Sequence, residues 1–510
     1  KTGNPGNWTA GTSTGIVVVS CDANWNVKPA QPSVTVSLSD PFADSYPSLS
    51  LNSNGYRTFS VTPYTVGLCS ATAWVALGGY DQYTSTKATV VAGAAVKLQV
   101  LVPGETAVPG SSNGKTGSPL TQTAGTPFIV TINACDSKWN VNSADASNID
   151  ITTTDNYDTP DPANRTLQSG TTRYSATFVT SEGTGGGLTI TAADTLTPFM
   201  DNGTSANVPM VPGTPERLQI LVPNETSLPG SSSGKTGSVA PQTAGVQFTV
   251  TIRACDSNWN ITQSSPIVQL TTFDKYDIPD PQNFQLEATG TKTATITFVT
   301  AGTSSMTVTA TEGWGNTFNS YITPQITVVA GAPVKLQAII LPEESELPGS
   351  STGKQGTVAN KKAGQSFNVR VNLVDANWNK VTTTGYSKQM PDVQVQTPRD
   401  NYDVQPDTKT LVSGSETFGV TLKTACTQHV YAVDYDTYTP NYTANYSSTF
   451  TVIPTNVAGL QLLCPGETED PGNGTYPTGG KSGAPSNQTA GIKFTVTVKL
   501  VDAYFNKVNG

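Results

Sequence analysis

Three kinds of stretch in this sequence put reactive or metal-binding side chains at regular spacings. The first is an acidic, Pro-containing loop: Asp155-Asn-Tyr-Asp158-Thr-Pro-Asp161, Asp274-Lys-Tyr-Asp277-Ile-Pro-Asp280 and Asp400-Asn-Tyr-Asp403-Val-Gln-Pro-Asp407. The second is an Asp-x-x-Trp-Asn turn, found at Asp22–Asn26, Asp136–Asn140, Asp256–Asn260 and Asp375–Asn379, and with Phe505 for Trp at Asp502–Asn506. Calcium takes six to eight oxygen ligands, which two such loops converging at one end of a domain would supply. Calcium is therefore the cofactor these residues suggest, on Asp155, Asp158, Asp161, Asp274, Asp277, Asp280, Asp400, Asp403 and Asp407, against the plainer reading of a solvated acidic loop. The first repeat has only Asp40 and Asp44 there. For the Trp turn the plainer reading is preferred, because Asp and Asn side chains bond their own backbone in tight turns.

The third stretch is Gly110-Ser-Ser-Asn-Gly-Lys-Thr116 and its copy Gly230–Thr236. It is one residue short of a phosphate-binding loop, and no helical pattern follows to present free N–H groups to a phosphate. It reads as a long surface loop, with lateral contact as its expected role. Catalysis by a nucleophile and base lacks parts, since His429 is the only histidine and lies in a strand-like run. An isopeptide link from Lys97 or Lys335 is disfavoured because Arg217 takes their place in the intervening repeat. No Cys-x-x-Cys occurs, which removes the usual zinc sites. No enzyme is expected.

These stretches sit in a repeat. From Asp22 the turn recurs after 114, 120, 119 and 127 residues, so the 510-residue chain is an array of similar domains. Each repeat opens with an apolar strand such as Val96–Val102. A Gly/Pro/Ser connector follows, then an alternating strand such as Phe248–Ala254 that runs into the Trp turn. Beyond the turn come another alternating strand, the acidic loop and Thr-rich strands. About seven short strands per repeat, with turn residues every 8–12 positions and no helical period, predict an all-β chain: a tandem array of immunoglobulin-like β-sandwich domains forming an end-to-end rod. The expected boundaries are 1–92 (lacking its first strand), 93–212, 213–330, 331–454 and 455–510 (first strands only).

The pattern resembles the bacterial immunoglobulin-like repeats of surface proteins of the invasin and intimin type and, more distantly, filamin repeats. The carriers are Gln122-Thr-Ala-Gly125 before an alternating strand, the Asp-x-x-Trp-Asn turn, a Gly turn before Phe59-Ser-Val61 or Phe418-Gly-Val420, and a closing Val-x-x-Gly. The long connector departs from those families. The resemblance implies a surface location and, from the intersheet bridge of immunoglobulin domains, a disulfide between Cys21 and Cys69. Pairing of Cys135, Cys255, Cys426 and Cys464 stays open.

Only 13% of residues are charged, and Thr, Ser, Asn and Gly fill the space, as in extracellular β proteins. A net charge of −9 argues against nucleic acid as partner, whose phosphates call for Lys and Arg. No apolar run reaches the ~20 residues that span a bilayer. Lys1-Thr-Gly3 matches Lys115-Thr-Gly117, inside a connector, and 456–510 carries only the opening part of a repeat. Two expectations follow: a slice of a longer polypeptide, or copies joined head to tail through Leu460, Gln461, Leu462, Leu463 and Cys464. The function these readings favour is a structural subunit of an extracellular filament or stalk, polymerised or continued end to end. The alternative is an adhesin that binds a glycan or protein on another surface.

Overall fold

The structure, a computed structural model, describes residues 3–158, 164–181, 187–195, 199–277, 280–302, 306–315, 317–383, 389–404 and 406–509. Among them there is no helix, and the chain is all-β. The sandwiches lie in sequence along the chain, each around its own core.

The second module shows the plan. Phe128–Cys135 alternates inward and outward, so that Phe128, Val130, Ile132 and Ala134 enter the core. On one side it pairs antiparallel with the opening strand Lys97–Leu101, on the other with Thr171–Ala176. The facing sheet has four strands in the order Arg165–Thr166, Asn148–Thr153, Ile190–Asp194, Gly203–Thr204. Between the two sheets lie Leu98, Val100, Ile149, Ile151, Phe178 and Ile190, all buried. Burying each side chain of this size contributes about 1.5–3 kcal/mol, which is why a pattern of period two settles which face turns inward. The third and fourth modules repeat these sheets around separate cores, one from Leu218 to Val328 and one from Leu336 to Val452.

The first module differs at one edge. Its strand Thr14–Val19 pairs only with Tyr56–Val61, and Val17 and Val19 are exposed. At the other end of the chain, Gly459–Leu463 pairs with Thr497–Val501 as a two-stranded ribbon. Leu460 there is 62% exposed, whereas its counterpart Leu98 is 2% exposed.

The bridge expected between Cys21 and Cys69 is not formed, and all six cysteines are free thiols. The reason is position along the strand. Cys69 packs with Ala10 and Val90, where Thr14–Val19 begins, whereas Cys21 follows the end of that strand and pairs with Val27. Six residues at about 3.3 Å each separate the two ends by roughly 20 Å, far beyond the Cα spacing a disulfide spans. Burial pushes the thiols of Cys135 and Cys255 up to about 12, so both serve as packed apolar groups.

Candidate functional site

The Asp-x-x-Trp-Asn turn is built from its own side chains. In the third module Asp256 Oδ1 accepts the backbone N–H groups of Asn258 (2.8 Å) and Asn260 (2.9 Å). This holds Trp259 at φ 65°, a left-handed conformation that costs a non-glycine residue free energy unless its surroundings hold it. The surroundings are specific. Trp259 Nε1 donates to Ser232 O of the connector, and the Arg217 guanidinium lies 4.8 Å from the ring centroid. Lys97 and Lys335 sit over Trp139 and Trp378 in the same way, at 3.6 and 3.4 Å. That cation–π contact is the task of the opening-strand lysines, and Arg217 performs it equally well.

The rest of the turn reaches into the preceding module. Asn260 Nδ2 donates to Val179 O (2.8 Å), and Asn260 Oδ1 accepts Ser181 N–H (2.7 Å). Asp256 Oδ2 accepts Gly213 N–H (2.7 Å), in the short linker after the preceding module's closing strand Met210–Val211, and also orients the Asn260 amide (2.9 Å). The arrangement recurs at four joints. Asn140 bonds Tyr64 O and Val66 N–H; Asn379 bonds Val299 O and Ala301 N–H; Asn506 bonds Lys423 O and Ala425 N–H. Asp136, Asp375 and Asp502 take Gly93, Gly331 and Thr455 N–H. These four Asp–Asn pairs are at most 1% exposed.

The acidic loops stand on the other side of the joints. Asp155 accepts four hydrogen bonds: Tyr157 N–H, Val179 N–H, Thr180 N–H and the Thr180 hydroxyl. Asp274 and Asp400 do the same with Tyr276, Val299 and Thr300 and with Tyr402, Lys423 and Thr424. Thus Val179 gives its N–H to Asp155 of its own module and its carbonyl to Asn260 of the next. A carboxylate with four donors has its lone pairs spent, so Asp155, Asp274 and Asp400 do not fit a calcium site. Asp158, Asp277 and Asp403 each accept the hydroxyl of a neighbouring Thr, Asp280 accepts Thr272 N–H, and Asp407 is exposed. Asp161 lies outside the described residues. Among the described residues no three such groups gather where they would hold a metal. Burial, followed by the charges of Asp280 and Asp274, pushes the Asp277 carboxyl up to about 6, against the pull of the Thr272 hydroxyl.

The Gly/Pro/Ser connector, for which lateral contact is the expectation, makes contacts within the chain. It folds as a hairpin, Glu225–Ser227 against Lys235–Gly237, and its tip lies on the preceding module. Lys235 of the Gly-Lys-Thr sequence is spent on the nearly buried Glu225 at 2.7 Å. Lys115–Glu105 and Lys481–Glu467 repeat that ion pair at 2.7 Å. Two glycines are required. A Cβ on Gly230 (φ 83°) would stand 2.4 Å from Thr180 Oγ1, in the module before, and one on Gly234 (φ 72°) would stand 2.2 Å from Trp259 Cγ.

The first copy of the turn is alone. Asp22 makes the same internal bonds to Asn24 and Asn26, but Asn26 is exposed and bonds only Asp22. Trp25 is 66% exposed, with the edge of Tyr83 against it. Of the residues marked as polymer contacts, Leu460 and Leu462 are exposed, Gln461 and Leu463 are buried, and Cys464 is half-buried.

Sequence reasoning read the turn as local chemistry and missed its reach across the joint. The available signal was the Asn itself, kept in all five copies even where Phe505 replaces Trp and Val374 or Val501 replaces Cys.

No protein-family model matches the chain, and a search of the curated proteins finds no match. Solved structures similar to it include the Escherichia coli adhesin FdeC, at 13% identity over 71% of this chain and 98% of that one, with a TM-score of 0.25. Another is the tetra-tandem repeat in the extending region of a large adhesion protein, at 14% identity over 88% and 98%, with a TM-score of 0.20. A third is the surface-layer protein SbsC, domains 1–6, at 13% identity over 96% and 62%, with a TM-score of 0.18.

Proposed function

We propose that this chain is a structural element of an extracellular filament or stalk, in which β-sandwich modules are continued or polymerised end to end. The observation that carries the reading is the joint. The same Asp and Asn atoms cross it in the same way at four successive places, and a connector hairpin reinforces it from the same side of the sequence. A buried amide that both donates to and accepts from one segment of the preceding module resists bending, because bending would leave buried polar groups unpaired. Flexible tethers, by contrast, join domains through solvated Gly/Ser linkers. The free turn Asp22–Asn26 offers the atoms for one more joint of the same kind, with a module of the same polypeptide or of another copy. The low charge and the abundance of Thr, Ser, Asn and Gly support an extracellular setting. No catalytic constellation is assigned.

Negative-stain electron microscopy and small-angle scattering of the purified chain test this. Elongated particles with a narrow distribution of bend angles are expected, with Asn260→Ala introducing a bend at the second of the four joints. Particles in which the modules fold back on one another would sink the reading.

A further inference from the structure

The fourth module carries a feature the joints do not use. Between the strands Tyr431–Asp434 and Asn445–Tyr446 runs the loop 435–444, two residues longer than the equivalent loops 195–202 and 313–320. Beside it lies a cleft of about 340 Å³ lined by Gln389, Pro391, Asp436, Tyr438, Thr439, Pro440 and Tyr442. That volume suits a small ligand. Tyr442 is nearly buried, whereas Tyr438 and its neighbour Tyr435 are 60% and 59% exposed. On the strands beside the loop, Tyr446 stacks on Tyr431 at 4.3 Å and meets His429 edge-on at 4.9 Å.

The polar group in the wall is fixed in place. Asp436 Oδ1 accepts Tyr438 N–H (2.7 Å) and Oδ2 accepts Asp392 N–H (3.1 Å). Each oxygen keeps acceptor capacity, so the carboxylate presents a rigid, bidentate acceptor beside an exposed ring. Among the described residues no Lys or Arg lines the cleft. Two adjacent hydroxyls match such a carboxylate, and the C–H face of a saturated ring matches the face of a tyrosine. An anionic ligand would meet Asp436 with no compensating cation among the described lining residues.

We propose that this cleft binds a neutral pyranose, with Asp436 accepting from a pair of vicinal hydroxyls and Tyr438 stacking on the sugar ring. The other loops in this position also carry exposed apolar side chains, Phe199 and Trp314 among them.

The test uses the full chain with methyl α-glucoside, methyl α-mannoside and methyl β-galactoside as probes, and sialic acid as the anionic control. Saturation-transfer NMR is expected to show transfer to at least one neutral glycoside and none to sialic acid. Tyr438→Ala and Asp436→Asn should each weaken that binding about tenfold or more, while Trp314→Ala leaves it unchanged. Melting curves separate loss of the site from loss of the fold; Tyr438→Ala removes an exposed ring and should melt as the parent chain does. Absence of transfer from all three glycosides, preference for sialic acid, or binding that survives both cleft variants would overturn the proposal.

Discussion

Asp22–Asn26 and Asp256–Asn260 are one turn in two circumstances. Both tie the first carboxylate to two backbone N–H groups, and both place Trp at positive φ. In the third module the Asn amide is buried and bonds the module before it. In the first module the Asn is exposed and bonds only its own Asp. The turn is therefore locally determined, and the joint is not. In the third module the preceding module covers the amide and the connector hairpin bonds the Trp.

The largest effect expected from this difference comes from the asparagines. Asn260→Ala leaves the carbonyl of Val179 and the N–H of Ser181 buried without partners, at a cost of about 3 kcal/mol, within the range for two such groups. Asn26→Ala removes an exposed side chain and should cost less than about 0.5 kcal/mol. Denaturant titration of both variants checks the contrast, and equal costs would break it. Next comes Gly230→Ala. It forces a Cβ against Thr180 and places alanine at a φ it rarely adopts, so a loss of about 2 kcal/mol is expected. Cleavage at the hairpin by a low level of protease should rise in parallel, at this joint alone.

The smallest effect concerns pH. Asp277 has a carboxyl raised to about 6 in the folded chain, above its unfolded value of 3.8. The folded state therefore binds a proton that the unfolded state does not between those two values. Stability contributed by this group falls as pH rises from about 4 to about 6 and is level above that. Melting temperatures of the parent chain and of Asp277→Asn across pH 4–7 should diverge over that window, with the variant the less pH-dependent. Parallel curves would remove Asp277 as the cause.

The acidic loops show how one motif admits two chemistries. Their carboxylates recur at the spacing a calcium site would use, yet the first of each loop is fully engaged by backbone N–H groups and a Thr hydroxyl. A line of sequence shows which oxygens are present and not which donors reach them. Thr180 lies 25 residues beyond Asp155, and nothing in the spacing marks it as the partner. The cysteines teach the same lesson. Cys21 and Cys69 fit the order of an immunoglobulin bridge, but their heights along the strands place them at opposite ends of the sandwich.

The sequence by itself determined the all-β class, the period, the order of strands in each repeat and the shape of the Trp turn. Those follow from alternation of apolar side chains and from short-range bonds between residues two to four apart, which act within one stretch of chain. Only the tertiary structure decided that the turn is a coupling between modules, that the connector closes over it, and that the fourth module opens a cleft. Each of those depends on donors and acceptors about 25 to 80 residues apart finding one another in a dry interface. Such pairings are set by the packing of whole sheets, and no local pattern encodes them.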